Sequence, residues 1–265
     1  MTNPVTLLRA AHPGPAFAVT LLAGLLGWAV GLGPLDLLLV VAAVGTGQLS
    51  IGWSNDLVDA SRDRAVGRTD KPLATGELDI RVVRTACAVA VVATVPLSLA
   101  AGLVAGPVQL VTVASGWAYN LGLKATVWSW LPYALAFGAL PAFVSLVDNP
   151  DQLPPWWMVA AGALLGVGAH LVNVLPDLED DAATGVRGMP HRLGARWSSA
   201  LAAAVLVSAT VVIVLGSSVG STVATVALVV VGGLALVALV TSGRTPFRAA
   251  IAMALVDVAM LVWAR

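Results

Sequence analysis

The sequence predicts an all-α membrane protein whose nine transmembrane helices form two four-helix repeats plus one. Three observations carry that expectation. Hydrophobic residues make up 58% of the chain and charged residues 11%, where an ordinary soluble domain has about 25% charged, and the mean hydropathy is +0.91. Apolar runs long enough to cross a bilayer follow one another from end to end. The basic residues collect on one side of the topology that those runs define.

A hydrocarbon core about 30 Å thick needs roughly 17 to 25 apolar residues per helix. Runs of that kind lie near 16–33, 35–54, 82–104, 107–122, 127–147, 156–175, 198–215, 220–240 and 247–264, the fourth being short. Chain breakers stand where turns are required: "GLGP" at 31–34, "AGP" at 105–107, "DNPDQLPP" at 148–155, "GSSVGS" at 216–221 and "SGRTP" at 242–246. The expected organisation is one integral-membrane domain over 1–265 with pseudo-repeats near 16–122 and 127–240. The opening stretch "MTNPVTLLRAAHPGPAF" has no compact basic, apolar and small-residue pattern, so no removable signal peptide is expected.

Positive charge tests the count of spans independently. With the N-terminus cytoplasmic, Arg9, Arg62, Arg64, Arg68, Lys71, Arg81, Arg84, Lys124, Arg187, Arg192, Arg196, Arg244 and Arg248 all fall inside, and only Arg265 falls outside. That distribution is what the positive-inside rule asks of a correct topology, and a missed span would scatter it. The expectation is therefore a multi-pass protein with its N-terminus and charged loops in the cytoplasm. A formal net charge of zero predicts no nucleic-acid partner. Cys87, the single cysteine, lies inside an apolar run, which leaves no disulfide framework and no thiolate metal site within one chain.

Two connections are long, 55–81 and 176–197, and one arrangement of residues occurs at both. "NDLVDASRDR" sets Asn55, Asp59 and Asp63 four residues apart, and "NVLPDLEDD" sets Asn173, Asp177 and Asp181 at the same spacing, 118 positions later. At about 100° per residue, Asn55, Asp56, Asp59 and Asp63 share one helix face, as do Asn173, Asp177, Asp180 and Asp181, with Pro176 expected to bend the second copy. Such a duplication fits four spans repeated and a ninth added. Carboxylates gathered this way repel unless a cation sits among them, and hard oxygen donors without His or Cys select Mg²⁺, with Mn²⁺ as a substitute. Mg²⁺ commonly joins a few carboxylates to substrate phosphates. Arg64, Arg68 and Lys71 beside one motif, and Arg187 and Arg192 beside the other, supply further positive charge for a phosphorylated substrate.

The stretches "NDLVDASRDRAVGRTDKPLATGEL" and "NVLPDLEDDAATGVRGMPHRLG" resemble the two aspartate-rich motifs of the UbiA superfamily of intramembrane prenyltransferases. "AYNLGLK" at 118–124 and the short basic segment around Arg9 extend the likeness over essentially the whole chain. The resemblance implies an enzyme that binds an isoprenyl diphosphate through two Mg²⁺ held by the motifs, lays the prenyl tail in the bilayer-spanning bundle, ionises it and transfers the allylic cation to an aromatic or other lipophilic acceptor. It implies Asn55, Asp59, Asp177 and Asp181 as principal metal residues, with Asp56, Asp63, Asn173 and Asp180 in support. Arg68 and Lys71 would grip the diphosphate, with Arg9, Lys124 and Arg187 as further candidates. Lys71 stands where relatives often carry Arg, which exchanges a bidentate fork for a point charge.

Tyr119, at the end of its span, reads either as a group that stabilises the cation or orients the substrate, as the resemblance implies, or as an interfacial tyrosine. Asp257, inside the last span, reads as a hydrogen-bonded structural group, and His170 as a packed one. The acceptor stays open among hydroxybenzoate, another aromatic and a lipid-linked sugar. Two other function classes compete: an intramembrane terpene cyclase using the same ionisation, and a cation transporter. Transport would ask for ionisable groups along a path through the membrane, whereas here nearly all carboxylates lie at one face.

Overall fold

The computed structural model describes residues 3–183, 185–241 and 243–264. Among them every regular element is helical. Among the described residues eight helices are long and apolar enough to cross a membrane, where the sequence predicts nine spans. The difference lies in the expected fourth span. A helix forms there, Ala105–Leu121, but it has 17 residues and falls short of the others. Arg265, the one basic residue expected on the far side, lies outside the described residues.

Proline starts many of these helices. It sits in the first turn of α1 (Pro4–Arg9), α2 (Pro13–Val30), α3 (Pro34–Ala65) and α4 (Pro72–Thr75), where its missing N–H has no partner to lose and its φ is already helical. These helices, with α5 (Ile80–Ala100) and α6 (Ala105–Leu121), make up most of a first compact unit, Met1–Gly122 with Phe143–Gln152. Its centre is α3, which packs against α2, α5 and α6. Helix α3 also runs eleven residues past the expected end of its span. The first motif therefore lies on a continuous helix, whose end packs Trp53 and Ala60 with Ala10, Ala11, Leu73, Leu78 and Val83.

The second unit, Leu123–Ala142 with Leu153–Arg265, holds the first part of α7 (Leu131–Asp148), then α8 (Trp156–Val174), α9 (Leu178–Ala183), α10 (Met189–Gly216), α11 (Ser221–Val240) and α12 (Thr245–Trp263). Helix α10 packs along α8, α11 and α12. It is interrupted near its start by Gly194 (φ 79°, ψ 165°), which separates a short helical stretch from the span expected over 198–215. Without a hydrophobic drive between helices in lipid, close backbone approach decides packing. Gly166 shows this: a Cβ there would come 2.2 Å from the carbonyl oxygen of Tyr133, so only glycine lets α7 lie on α8.

Two buried groups behave as the structural alternatives anticipate. Asp257 is fully buried, and its Oδ1 accepts a 2.5 Å hydrogen bond from Thr210 on α10. His170 packs against Tyr133 with ring centroids 5.0 Å apart, its Nε2 3.0 Å from Ser129 Oγ. Cys87 is buried beside the Ser50 carbonyl.

Candidate functional site

The first motif occupies the last turns of α3. Asn55 is half-buried, and Asp56, Asp59 and Asp63 are 1%, 6% and 5% exposed. Buried carboxylates need partners, and each has one supplied by the chain. Asp56 Oδ1 accepts from Lys71 Nζ at 2.6 Å and lies 2.9 Å from His12 Nε2, which is itself 2.7 Å from Lys71 Nζ. Arg62, one turn along the same helix, reaches Asp59 at 3.0 Å and Asp63 at 3.8 Å. Asn55 donates to the Asn120 side chain at 3.2 Å, and Asn120 in turn donates to Ser54 Oγ and the Ile51 carbonyl. Asn120 closes α6, next to the half-buried Tyr119.

The N-terminal segment is fastened onto this end of α3. Trp53 Nε1 donates to the Leu7 carbonyl at 2.9 Å. A Cβ on Gly52 would lie 2.0 Å from the Ala11 carbonyl oxygen, so the backbone of residues 10–12 rests directly on α3 where no side chain stands. That contact carries His12 to Asp56.

The cations expected to meet a diphosphate divide. Lys71 is turned inward to Asp56, whereas Arg68 forms two 2.8 Å bonds with Asp70 at the surface and Arg9 reaches Glu77 at 3.5 Å, both exposed. The Arg68 guanidinium pulls the Asp70 carboxyl down to about 2, so that pair stays ionised throughout the neutral range.

The second motif is built differently. Helix α8 ends at Val174, a 3-10 turn covers Leu175–Asp177, and α9 begins at Leu178. Pro176 has no N–H for a helical bond, and the 3-10 turn is the local answer. The expectation of one continuous face for Asn173, Asp177, Asp180 and Asp181 is therefore corrected to a face broken after Asn173. Asn173 and Asp180 are exposed, and Asp177 and Asp181 half-buried. Asn173 donates to Tyr133 Oη at 3.3 Å, and Asp181 lies 3.5 Å from His191 Nε2. In the same unit Lys124 sits half-buried in a 3-10 turn, Leu123–Ala125, and Arg187 is exposed.

Both motifs offer oxygen donors of the kind Mg²⁺ takes, and the buried Asp59 and Asp63 already share a cation, Arg62, which shows that their surroundings suit positive charge. Among the described residues no three His, Cys, Asp or Glu side chains stand close enough to hold a metal ion together. Three participants carry no signal in motif spacing: His12, Tyr133 and His191 are brought to the motifs by folding. Arg62, Asn120 and His191 do lie within the stretches that carry the family likeness.

The family model of the UbiA prenyltransferase family matches residues 16–263. The chain is 32% identical over 197 residues to the bacteriochlorophyll synthase 33 kDa chain of Cereibacter sphaeroides, a match that covers 68% of this chain and 62% of that protein. It thus spans less than two thirds of the length of that curated relative. A UbiA homologue from Archaeoglobus fulgidus, bound to GPP and Mg²⁺, has a TM-score of 0.69 at 16% identity, over 97% of this chain and 98% of that one. The apo structure of a UbiA homologue from Aeropyrum pernix K1 has a TM-score of 0.72 at 18% identity, over 97% and 96%. At those identities the structural likeness establishes the fold.

Proposed function

The chain belongs to the UbiA prenyltransferase family, and from that premise we propose that it is a Mg²⁺-dependent intramembrane prenyltransferase, which moves an isoprenyl group from its diphosphate to an aromatic or other lipophilic acceptor. The observation that carries the reading is the first motif: three carboxylates on one face at the end of a membrane-spanning helix, buried and charge-compensated. A solvated helix end would leave them in water.

In the first motif Asn55 and Asp59 would hold Mg²⁺ with Asp56 and Asp63 in support, and in the second Asp177 and Asp181 would do so with Asn173 and Asp180 in support. Bound Mg²⁺ supplies positive charge to the leaving diphosphate. The prenyl C1–O bond breaks with both electrons leaving on the diphosphate oxygen, so about three negative charges must be neutralised. Lys71 meets that charge from inside the fold, and Arg68 does so once it exchanges Asp70 for phosphate oxygens; Arg9, Lys124 and Arg187 add to the field. The acceptor attacks C1 and loses a proton, and Tyr119 lines the region of the cation. A bound acceptor also excludes the water that would quench it. A tetrapyrrole joins the simple aromatics as an acceptor class, because the 32% identical relative is a bacteriochlorophyll synthase.

The test is incubation of purified protein in lipid with Mg²⁺ and prenyl diphosphates of graded length, with and without phenolic and tetrapyrrole acceptors, read by mass spectrometry. Prenylated acceptor is the expected product. A cyclic terpene formed without acceptor would replace transferase by cyclase. Orientation is tested in a Cys87→Ser background: Asp79→Cys is expected to label from the cytoplasmic side and Gln152→Cys from the opposite one. Labelling of both from one side would overturn the proposed topology.

A further inference from the structure

We propose that Asp56 and His12 are positioning residues that hold the Lys71 ammonium for the diphosphate, Asp56 serving as the anchor of that lysine rather than as a metal ligand. The inference rests on the prenyltransferase reading above and assigns particular work to residues of that site.

Three segments far apart in sequence converge at one oxygen. His12 comes from the turn between α1 and α2, Asp56 from α3, and Lys71 from the N-cap of α4. Both Lys71 Nζ and His12 Nε2 lie within 2.9 Å of Asp56 Oδ1. Asp56 Oδ2 is sealed from solvent with no hydrogen-bond partner, so a Mg²⁺ that keeps part of its water shell has no open approach to it. Asp59 and Asp63 contrast with this. Their cation, Arg62, comes from the next turn of the same helix and is 22% exposed, so it can rotate into water and leave two carboxylates for a metal. Withdrawing Lys71 from Asp56 would strand a buried charge.

The cluster is also held from behind. His12 is the one non-glycine residue with positive φ among the described residues, at φ 52° and ψ 64°. Such a backbone persists only where its surroundings over-determine it. Here they do: the Trp53 bond to Leu7, the contact of Gly52 with Ala11, and the burial of Ala10 and Ala11 fix the turn on both sides. A lysine ends in a point charge on a flexible four-carbon stem. Fixing it before the ligand arrives removes an ordering cost from binding.

Two binding measurements on the full-length protein in nanodiscs separate the roles: Mn²⁺ alone by electron paramagnetic resonance, and inorganic diphosphate with saturating Mg²⁺ by calorimetry. Asp59→Asn is the reference and should weaken Mn²⁺ about tenfold or more. Asp56→Asn and His12→Ala should leave Mn²⁺ affinity within about twofold and weaken diphosphate about tenfold, the size expected for supporting contacts. His12→Gln, whose amide reaches about the place of Nε2, should restore most of the loss. Should Asp56→Asn fail to fold, His12→Ala and its Gln rescue decide alone. Loss of Mn²⁺ by Asp56→Asn to the extent seen for Asp59→Asn, or wild-type diphosphate affinity in His12→Ala, overturns the proposal while the enzyme reading stands. An Asp59→Asn protein with unchanged Mn²⁺ and diphosphate binding would instead remove the reading on which the proposal depends.

Discussion

Asp56, Asp59 and Asp63 are buried on a helix that runs unbroken for 32 residues. Asn173 and Asp180 are exposed on a stretch that changes from α-helix to 3-10 turn and back within a few residues. The two sites have the same spacing of Asn, Asp and Asp. What separates them is their support. The first is enclosed by α2, α5, α6 and the N-terminal segment and neutralised by Lys71 and Arg62. The second is interrupted by Pro176. A repeated spacing therefore supplied the same residue types twice, and the surroundings buried one set and left the other more exposed.

The comparison breaks most sharply if only one motif matters. Asp59→Ala and Asp177→Ala are each expected to lower turnover by about 10²-fold or more, the scale of a lost transition-state charge contact, while the protein still inserts. Near-normal turnover in Asp177→Ala would make the second copy a solvated helix end. Stability should separate the two regions in the opposite sense. Lys71→Met leaves Asp56 charged and buried without its ammonium, which should cost about 3–5 kcal/mol in detergent unfolding, whereas Asp180→Ala at an exposed position should stay within about 0.5 kcal/mol. Equal losses would mean that burial does not distinguish the motifs.

Pro176→Ala sharpens the contrast. Restoring the missing N–H lets α8 run on as α3 does, which rotates Asp177 relative to Asn173. Turnover should fall about tenfold, since displacements near 1 Å are costly at a reacting site, with unchanged or improved thermal stability. Unaltered kinetics would show that the break has no bearing on the site. The smallest effect concerns pH. Asp70 has its carboxyl held below the ordinary value, at about 2, by Arg68. Its contribution to stability is present above the ordinary carboxylate range and is lost only as pH falls through about 2. The pH dependence of stability from pH 5 to 9 should therefore have the same shape in wild type and Asp70→Asn, offset by a constant at most, and a difference in shape within that window would contradict the assignment of the pair.

The class of solvent, the helical content and the repeated motif were legible in the sequence because each is a local or periodic property. Composition fixes which side chains tolerate lipid, a run of about 20 apolar residues measures a bilayer, and a four-residue spacing in a helix selects a face. The likeness of the paired motifs to one family was legible for the same reason: the residues stand close together in the chain. Even Pro176 announced the break in the second copy. The 17-residue helix over the fourth run was legible too, as a short one, and it is that shortness that separates the nine expected spans from eight.

What only the tertiary structure decided is which groups meet those acids. The approach of His12 to Asp56 spans 44 positions and that of Asn120 to Asn55 spans 65, and nothing in local pattern encodes either. They follow from a missing Cβ at Gly52, an indole bond from Trp53 and the packing of α6 on α3. The extension of α3 through the motif has the same origin. The helix face shared by the three carboxylates was legible from their spacing, whereas their burial depends on Lys71 and His12, which the folded chain brings to Asp56. A sequence states which charges are present, but the cost of burying a charge depends on its partners, and those are chosen by the fold.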